Sequence, residues 1–174
     1  MAFAGLTTGV YTCVSGFINN IAKGNGLSGV GLYFIIYTAT LMLSKRIISV
    51  CSKNIEQHKL LIPFTILFII SLLIIANARS IPMLYIGAIV IGVGNGCTSV
   101  ITQVLSQQRV DNSQRGIASA TYFTGKSIGT SLLPSVAGAI AGVLGYQIAL
   151  EIMSIALVAC LVIYFVFNRE FLPE

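Results

Sequence analysis

Between Leu60 and Ala76 the chain reads LLIPFTILFIISLLIIA, a run with neither a charged side chain nor a glycine. In water such a run must be hidden on every side, and a small soluble domain cannot hide several of them. A helix crossing a hydrocarbon core of about 30 Å needs roughly 20 mostly apolar residues at about 1.5 Å each. Six segments approach that requirement: Ala2 to Asn20, Leu27 to Leu43, Leu60 to Ala76, Ile81 to Leu105, Gly116 to Val143 and Gln147 to Asn168. Of the 174 residues 56% are hydrophobic and only 9% charged, with a mean hydropathy of +0.92. So few charges cannot coat a soluble surface, and the expected solvent is lipid. The alternation of a lipid-facing barrel strand is absent. The reading is therefore an all-α integral membrane protein, one bundle of six transmembrane helices over residues 1–174.

Orientation follows from the cations, because Lys and Arg are retained on the cytoplasmic side. Loops on one side, with the C-terminus, carry Lys45, Arg46, Lys53, Lys59, Arg109, Arg115 and Arg169; the other side carries Lys23 and Arg79. Both termini are thus expected in the cytoplasm and the bundle in the plasma membrane. The net charge of +5 reads as a topology signal, which makes the lipid bilayer the expected partner and excludes nucleic acid. Met1 stands almost in the bilayer without a basic flank, so the chain is expected to begin mid-protein. No cleavable signal is evident. Cys13, Cys51, Cys97 and Cys160 lie far apart and in no paired metal spacing. They read as small apolar fillers, with no metal or cofactor expected.

The runs differ in what they carry. The third, and the sixth from Ile152 to Phe167, hold few polar atoms and suit a lipid-facing position. The first carries Thr7, Thr8, Tyr11, Thr12, Ser15, Asn19 and Asn20; the fourth carries GVGNGCTS with Asn95, then Gln103; the fifth carries Ser119, Tyr122, Lys126 and Thr130. Unsatisfied polar groups are costly in hydrocarbon, so these three are expected to face the protein interior or water. Gly92 and Gly96, Gly125 and Gly129, and Gly138 and Gly142 each have the spacing that lets two helix backbones approach closely. Pro134 removes a backbone donor and is expected to bend the fifth helix.

Lys126 is the least expected residue in this setting. Counting about 1.5 Å per residue from Arg115 puts it roughly 16 Å deep, near the middle of a core of about 30 Å. A central lysine costs about 2.5 to 3.5 kcal/mol on insertion scales, and such residues usually face a cavity or a partner. Ser119, Tyr122, Phe123, Gly129, Thr130 and Leu133 are its neighbours at helical spacing, a partly polar stripe expected to face water. Glu151, the acid inside a run, lies more than about 10 Å away in depth. The counter-charge is then an anionic substrate group or a carboxylate of another polypeptide, or else Lys126 is neutral.

Enzyme chemistry finds no footing. Gly26 to Gly29 reads GLSG, similar to the nucleophile motif of rhomboid intramembrane proteases, whose serine needs a histidine base. His58, the single histidine, falls in a charged loop across the membrane from Ser28. GVGNG lies inside a long apolar run rather than between strand and helix, so it is no nucleotide fingerprint.

Three segments carry a resemblance: GLYFIIYTATLMLSKRIIS, IGVGNGCTSVITQVL and SQRGIASATYFTGKSIGTSLLPSVAGAIAGVLGYQ. They are similar to the second, fourth and fifth helices of the C-terminal half of major facilitator superfamily transporters, closest to bacterial efflux-type members. The resemblance covers nearly the whole chain. It implies helices seven to twelve of a fold built from two six-helix halves. In that family helices seven and ten line the central cavity, eight and eleven flank it, and nine and twelve face lipid. The polarity of the runs sorts in the same order. By resemblance, Tyr11, Asn19, Asn95, Gln103, Tyr122, Lys126 and Thr130 would lie along a substrate path, and Arg46, Lys53, Lys59 and Arg115 at the cytoplasmic loops. Arg115 with Gly116 is similar to a recurrent pair that positions a helix start at the headgroups. Two places depart from the family pattern. Val50 and Asn54 stand where a loop glycine and aspartate are usual, and Pro134 with Gly138 matches only part of the antiporter pattern.

The resemblance implies a secondary active transporter that moves a small molecule by alternating access, in the efflux direction, together with an N-terminal six-helix half. A second copy of the chain forming a homodimeric transporter, and a non-transporting fragment or adaptor, are the alternatives.

Overall fold

A computed structural model of the chain describes residues 2–27, 29–51, 57–108 and 110–168. Among these there is no strand. The elements are α1 (Ala2–Gly24), α2 (Val30–Cys51), α3 (Gln57–Ala76), α4 (Ile81–Gln108), α5 (Arg115–Leu144) and α6 (Tyr146–Asn168), with a short 3-10 turn at Asn112–Gln114 leading into α5. An apolar surrounding offers no partner to a free N–H or C=O, so each apolar run closes its own backbone hydrogen bonds as a helix. Val30–Val50, Ile81–Gln108, Arg115–Leu144 and Tyr146–Tyr164 are long and apolar enough to cross a membrane unaided, and Leu60–Ala76 is a shorter apolar stretch of the same kind.

One boundary shifts a candidate residue, Arg46, and its neighbour Lys45. The second apolar run was expected to stop at Leu43, but α2 continues to Cys51 and makes Lys45 and Arg46 helical. Ser44 to Cys51 contain neither glycine nor proline, and Lys and Arg are good helix formers, so hydropathy falls there while the helix does not. At the other end of the bundle α5 and α6 are joined by Gly145 alone. Its φ of 92° lies in the region that favours glycine, and its N–H donates to the Ala141 carbonyl at 3.0 Å, closing α5 as α6 begins.

Three pairings hold the bundle: α3 on α4, α2 on α4, and α1 on α5. Among the described residues α2 touches neither α5 nor α6. The main core joins Ile18 of α1, Tyr33 of α2, Phe68 and Leu72 of α3, Leu84 and Ile91 of α4, and Leu150 and Leu157 of α6. A smaller cluster, with Phe3, Leu61, Ile101 and Leu105, closes the end where α5 begins. On α3, Leu61, Phe68, Leu72 and Ile75 are fully covered while Ile66, Ile70 and Leu73 on the opposite side are exposed.

Between apolar helices in lipid there is little hydrophobic drive to associate, so close backbone contact carries the packing. The α1 and α5 backbones meet directly. A Cβ added at Gly5 or Gly9 would run into the carbonyls of Gly125 and Gly129, and one at Gly129 into the carbonyl of Gly5. Gly92 and Gly96 seat α2 in a similar way, since a Cβ would stand 2.8 Å from Thr40 Cβ at the first and 3.1 Å from Ser44 Cβ at the second. Gly94 faces α3, 2.7 Å by the same measure from the Phe68 backbone nitrogen. Gly138 and Gly142 meet nothing within 4 Å, so that expected pair makes no helix contact in this chain.

Filling the α1–α5 seam should therefore cost far more than filling the open glycines. Gly129→Leu is expected to lower stability by about 1–3 kcal/mol, and Gly142→Leu to leave it within about 0.5 kcal/mol. Thermal unfolding of the purified protein in detergent reads both, and matching midpoints for the two variants would contradict the contact.

Candidate functional site

α1 carries a polar stripe at Thr8, Thr12, Ser15 and Asn19, spaced by four, three and four residues along one helical face. Its hydroxyls are satisfied within the helix: Thr8 Oγ1 donates to the Ala4 carbonyl at 2.9 Å, Thr12 Oγ1 to Thr8 at 3.0 Å and Ser15 Oγ to Thr12 at 2.8 Å. Such back-bonding lets a threonine stand on a face that no neighbouring helix covers. The stripe lies between two neighbours. To one side Tyr11 is turned to α2, and to the other Gly5 and Gly9 face α5. Because α2 and α5 do not touch, the stripe opens into the gap between them. Asn19 is exposed there.

Tyr11 and Asn95, both expected on the substrate path, meet through a residue that hydropathy did not single out. The Tyr11 and Tyr37 rings stack with centroids 4.5 Å apart and planes 15° from parallel. Asn95 Nδ2 donates to the Tyr37 hydroxyl at 3.0 Å. The three side chains come from α1, α2 and α4, so a ring stack and a hydrogen bond meeting at Tyr37 tie three helices. Tyr33, a turn earlier on α2, is fully buried, and its hydroxyl has no hydrogen-bond partner among the described residues. Tyr37 and Tyr33 sit in the apolar string GLYFIIYTAT and read as packing residues. Their spacing of one helical turn was the available signal.

Tyr122 is turned toward α4. Its hydroxyl donates to the Ser99 carbonyl at 3.1 Å and lies 3.4 Å from Thr102 Oγ1, and only 2% of the residue is exposed. Nearer the start of α5, Gln107 Nε2 donates to Ser119 Oγ at 2.8 Å. Tyr122 also lines a half-open pocket of about 260 Å³, with Phe3, Leu61, Thr102, Leu105 and Tyr164. Of the residues expected along the path, it is the one most firmly held.

Lys126 lies one turn beyond Tyr122, on the arc of α5 that continues through Leu133 to the buried Ala137. It therefore belongs to the inward face of its helix and is half-buried. Among the described residues no carboxylate pairs with it; Glu151 instead accepts from Gln147 Nε2 at 3.5 Å, near the start of α6. Lys45, on the added turns of α2, is likewise half-buried. Lys45 was expected in a loop and was not a candidate for the path; the extra turns of α2 make it part of a helix.

The remaining expected residues are more scattered. Gln103 is half-buried on α4, and Thr130 Oγ1 donates to the Ser127 carbonyl at 2.9 Å. Arg46 and Arg115 are exposed. Lys53 and Ser28 lie outside the described residues, as do the side chains of Lys59 and His58. At the Gly145 end Asn25 Nδ2 donates to the Ala78 carbonyl at 2.9 Å and Gln147 Nε2 to Asn77 Oδ1 at 3.1 Å, fastening three chain segments together.

A stack of apolar helices with a polar, lysine-bearing face is the build of a membrane protein with polar groups held inside the bilayer. The family model described as Major Facilitator Superfamily matches residues 1–174, and the chain belongs to that superfamily. It is a multi-pass membrane transporter, acting on a small-molecule substrate from within the bilayer. No curated protein matches the chain.

Removing the hydroxyl that joins α2 to α4 should loosen that pair. Tyr37→Phe leaves buried Asn95 without its partner, at an expected cost of about 1–3 kcal/mol. Thermal unfolding checks this, and an unchanged midpoint would mean that the bond contributes nothing to the fold.

Proposed function

We propose that the chain is the C-terminal half of a secondary active transporter that exports a small molecule across the plasma membrane by alternating access. In this reading all six helices span the bilayer, both termini are cytoplasmic, and the partner is an N-terminal six-helix half. The observation that carries it is the gap between α2 and α5. A polar stripe of α1 looks into it, and Lys126 stands on its wall from the inward face of α5. A self-sufficient bundle in lipid would turn those groups onto another helix.

The exposed faces of α2 and α5 support a partner of similar build. α2 exposes Ile35, Met42, Leu43, Ile47 and Val50, and α5 exposes Ile117, Phe123, Ile128, Leu132 and Val136. Apolar surface of this extent on both helices suits a second helical bundle packed beside them. The resemblance to helices seven to twelve assigns α1 and α4 to the cavity and α2 and α5 to its sides. Rocking of two such halves about a midplane site is the mechanism that follows. In it Lys126 contacts the substrate, while Asn95, Tyr11 and Tyr37 hold the cavity wall.

The test uses the native assembly purified from its own membranes and reconstituted into vesicles. Lys126→Ala is expected to reduce transport by about tenfold or more, the scale of one lost charge-assisted contact, with the thermal midpoint kept. Unchanged transport would remove Lys126 from the path. If the assembly proved to be two copies of this chain alone, the partner would be the homodimeric mate rather than an N-terminal half.

A further inference from the structure

The half-open pocket beside Tyr122 draws its wall from α1, α3, α4, α5 and α6. Among the described residues no side chain of α2 lines it, and Lys126 does not, so it is distinct from the gap between α2 and α5. Its apolar wall is Phe3, Leu61 and Leu105, all buried. The rings of Phe3 and Tyr164 stand side by side on it, centroids 5.5 Å apart and planes tilted by 38°. A dry apolar cavity of about 150 Å³ holds one benzene ring. The volume here, about 260 Å³, has room for two fused rings.

The polar part of the wall has a definite hydrogen-bonding sense. Thr102 and Ser106 are four residues apart on α4 and share a face, and the Tyr122 hydroxyl lies 3.4 Å from Thr102 Oγ1. A hydroxyl has a single hydrogen to give, and each of these three gives it to a backbone carbonyl. Thr102 donates to Thr98 at 2.8 Å, Ser106 to Gln103 at 2.7 Å and Tyr122 to Ser99 at 3.1 Å. What they offer a ligand is lone pairs. An anion would meet only acceptors at this patch. A cation would enter an apolar pocket whose described wall carries no carboxylate, at a large cost in lost hydration. A neutral molecule with an O–H or N–H at one end meets neither penalty. We propose that this pocket is a second ligand site, which takes a small neutral aromatic molecule bearing one hydrogen-bond donor. The donor bonds to Thr102 Oγ1 and the Tyr122 hydroxyl, and the ring body lies against Phe3 and Tyr164. This goes beyond the transport reading and does not depend on it.

The experiment compares 2-naphthol with its methyl ether, which keeps the rings and loses the donor. Each is titrated by fluorescence at pH 7, where a phenolic O–H is protonated, against the native assembly in lipid nanodiscs, with empty nanodiscs subtracted. Saturable binding is expected, about fivefold or more tighter for the naphthol. Thr102→Val, which removes one acceptor and keeps the shape, should cut that preference to below about twofold. It should leave the affinity for the ether within about twofold, which shows that the pocket is still formed. Ser106→Phe, which fills the space, should abolish saturable binding of both probes. Equal affinities in the wild type would mean an apolar crevice that any oily molecule or lipid chain can fill, and would overturn the site. So would a preference that survives Thr102→Val, binding that survives Ser106→Phe, or no saturable binding above the empty nanodiscs.

Discussion

The contact of two helix backbones at Gly5, Gly9 and Gly129 is the constraint on which the rest of this bundle depends. In lipid, apolar side chains gain little by leaving one apolar surrounding for another, and association rests on van der Waals fit. With no side chain between them, α1 and α5 lie against each other and fix the rotation of α5 about its own axis. That rotation carries Lys126 inward along with Tyr122 and Ala137, and turns Ile128 and Leu132 outward. α2 is seated independently, by Gly92 and Gly96 of α4. The two flanking helices thus hang from different supports, and the space between them follows.

Much of the fold is legible in the sequence, for a simple reason. Each apolar run is bounded by charge, glycine or asparagine, and in hydrocarbon a run of that kind has little choice but to become a helix. The class of protein follows from the same scarcity of charge, and the family match agrees with it. Pairwise contact is less legible. Gly125 and Gly129 announce a close approach by their spacing, but the spacing does not say which helix comes near; Gly5 and Gly9 complete the contact. Gly138 and Gly142 carry the same spacing and touch nothing.

The surface around Lys126 was legible in part. Its lysine and the stripe on α1 stand out because polar atoms are conspicuous against so apolar a background. Lys45 does not stand out, since a lysine beside an arginine after a hydrophobic run looks like a loop anchor. Hydropathy measures where a chain prefers to leave lipid, whereas helix propensity decides where it stops being a helix, and between Ser44 and Cys51 the two differ. Tyr37 escaped notice for the opposite reason. An aromatic residue in an apolar run reads as filler until Asn95 and Tyr11 are found on either side of it.

The single-residue joint at Gly145 has a mechanical meaning. A longer connection would act as slack, letting α5 tilt while α6 stayed in place. Here the turn is closed by a hydrogen bond to Ala141 and the next helix begins at once, with Tyr146 set edge-on against Phe17 of α1. α5 and α6 consequently behave as one bent rod pinned to α1 at the elbow. A tilt of α5 would therefore carry the start of α6 with it, since one residue is all that lies between them.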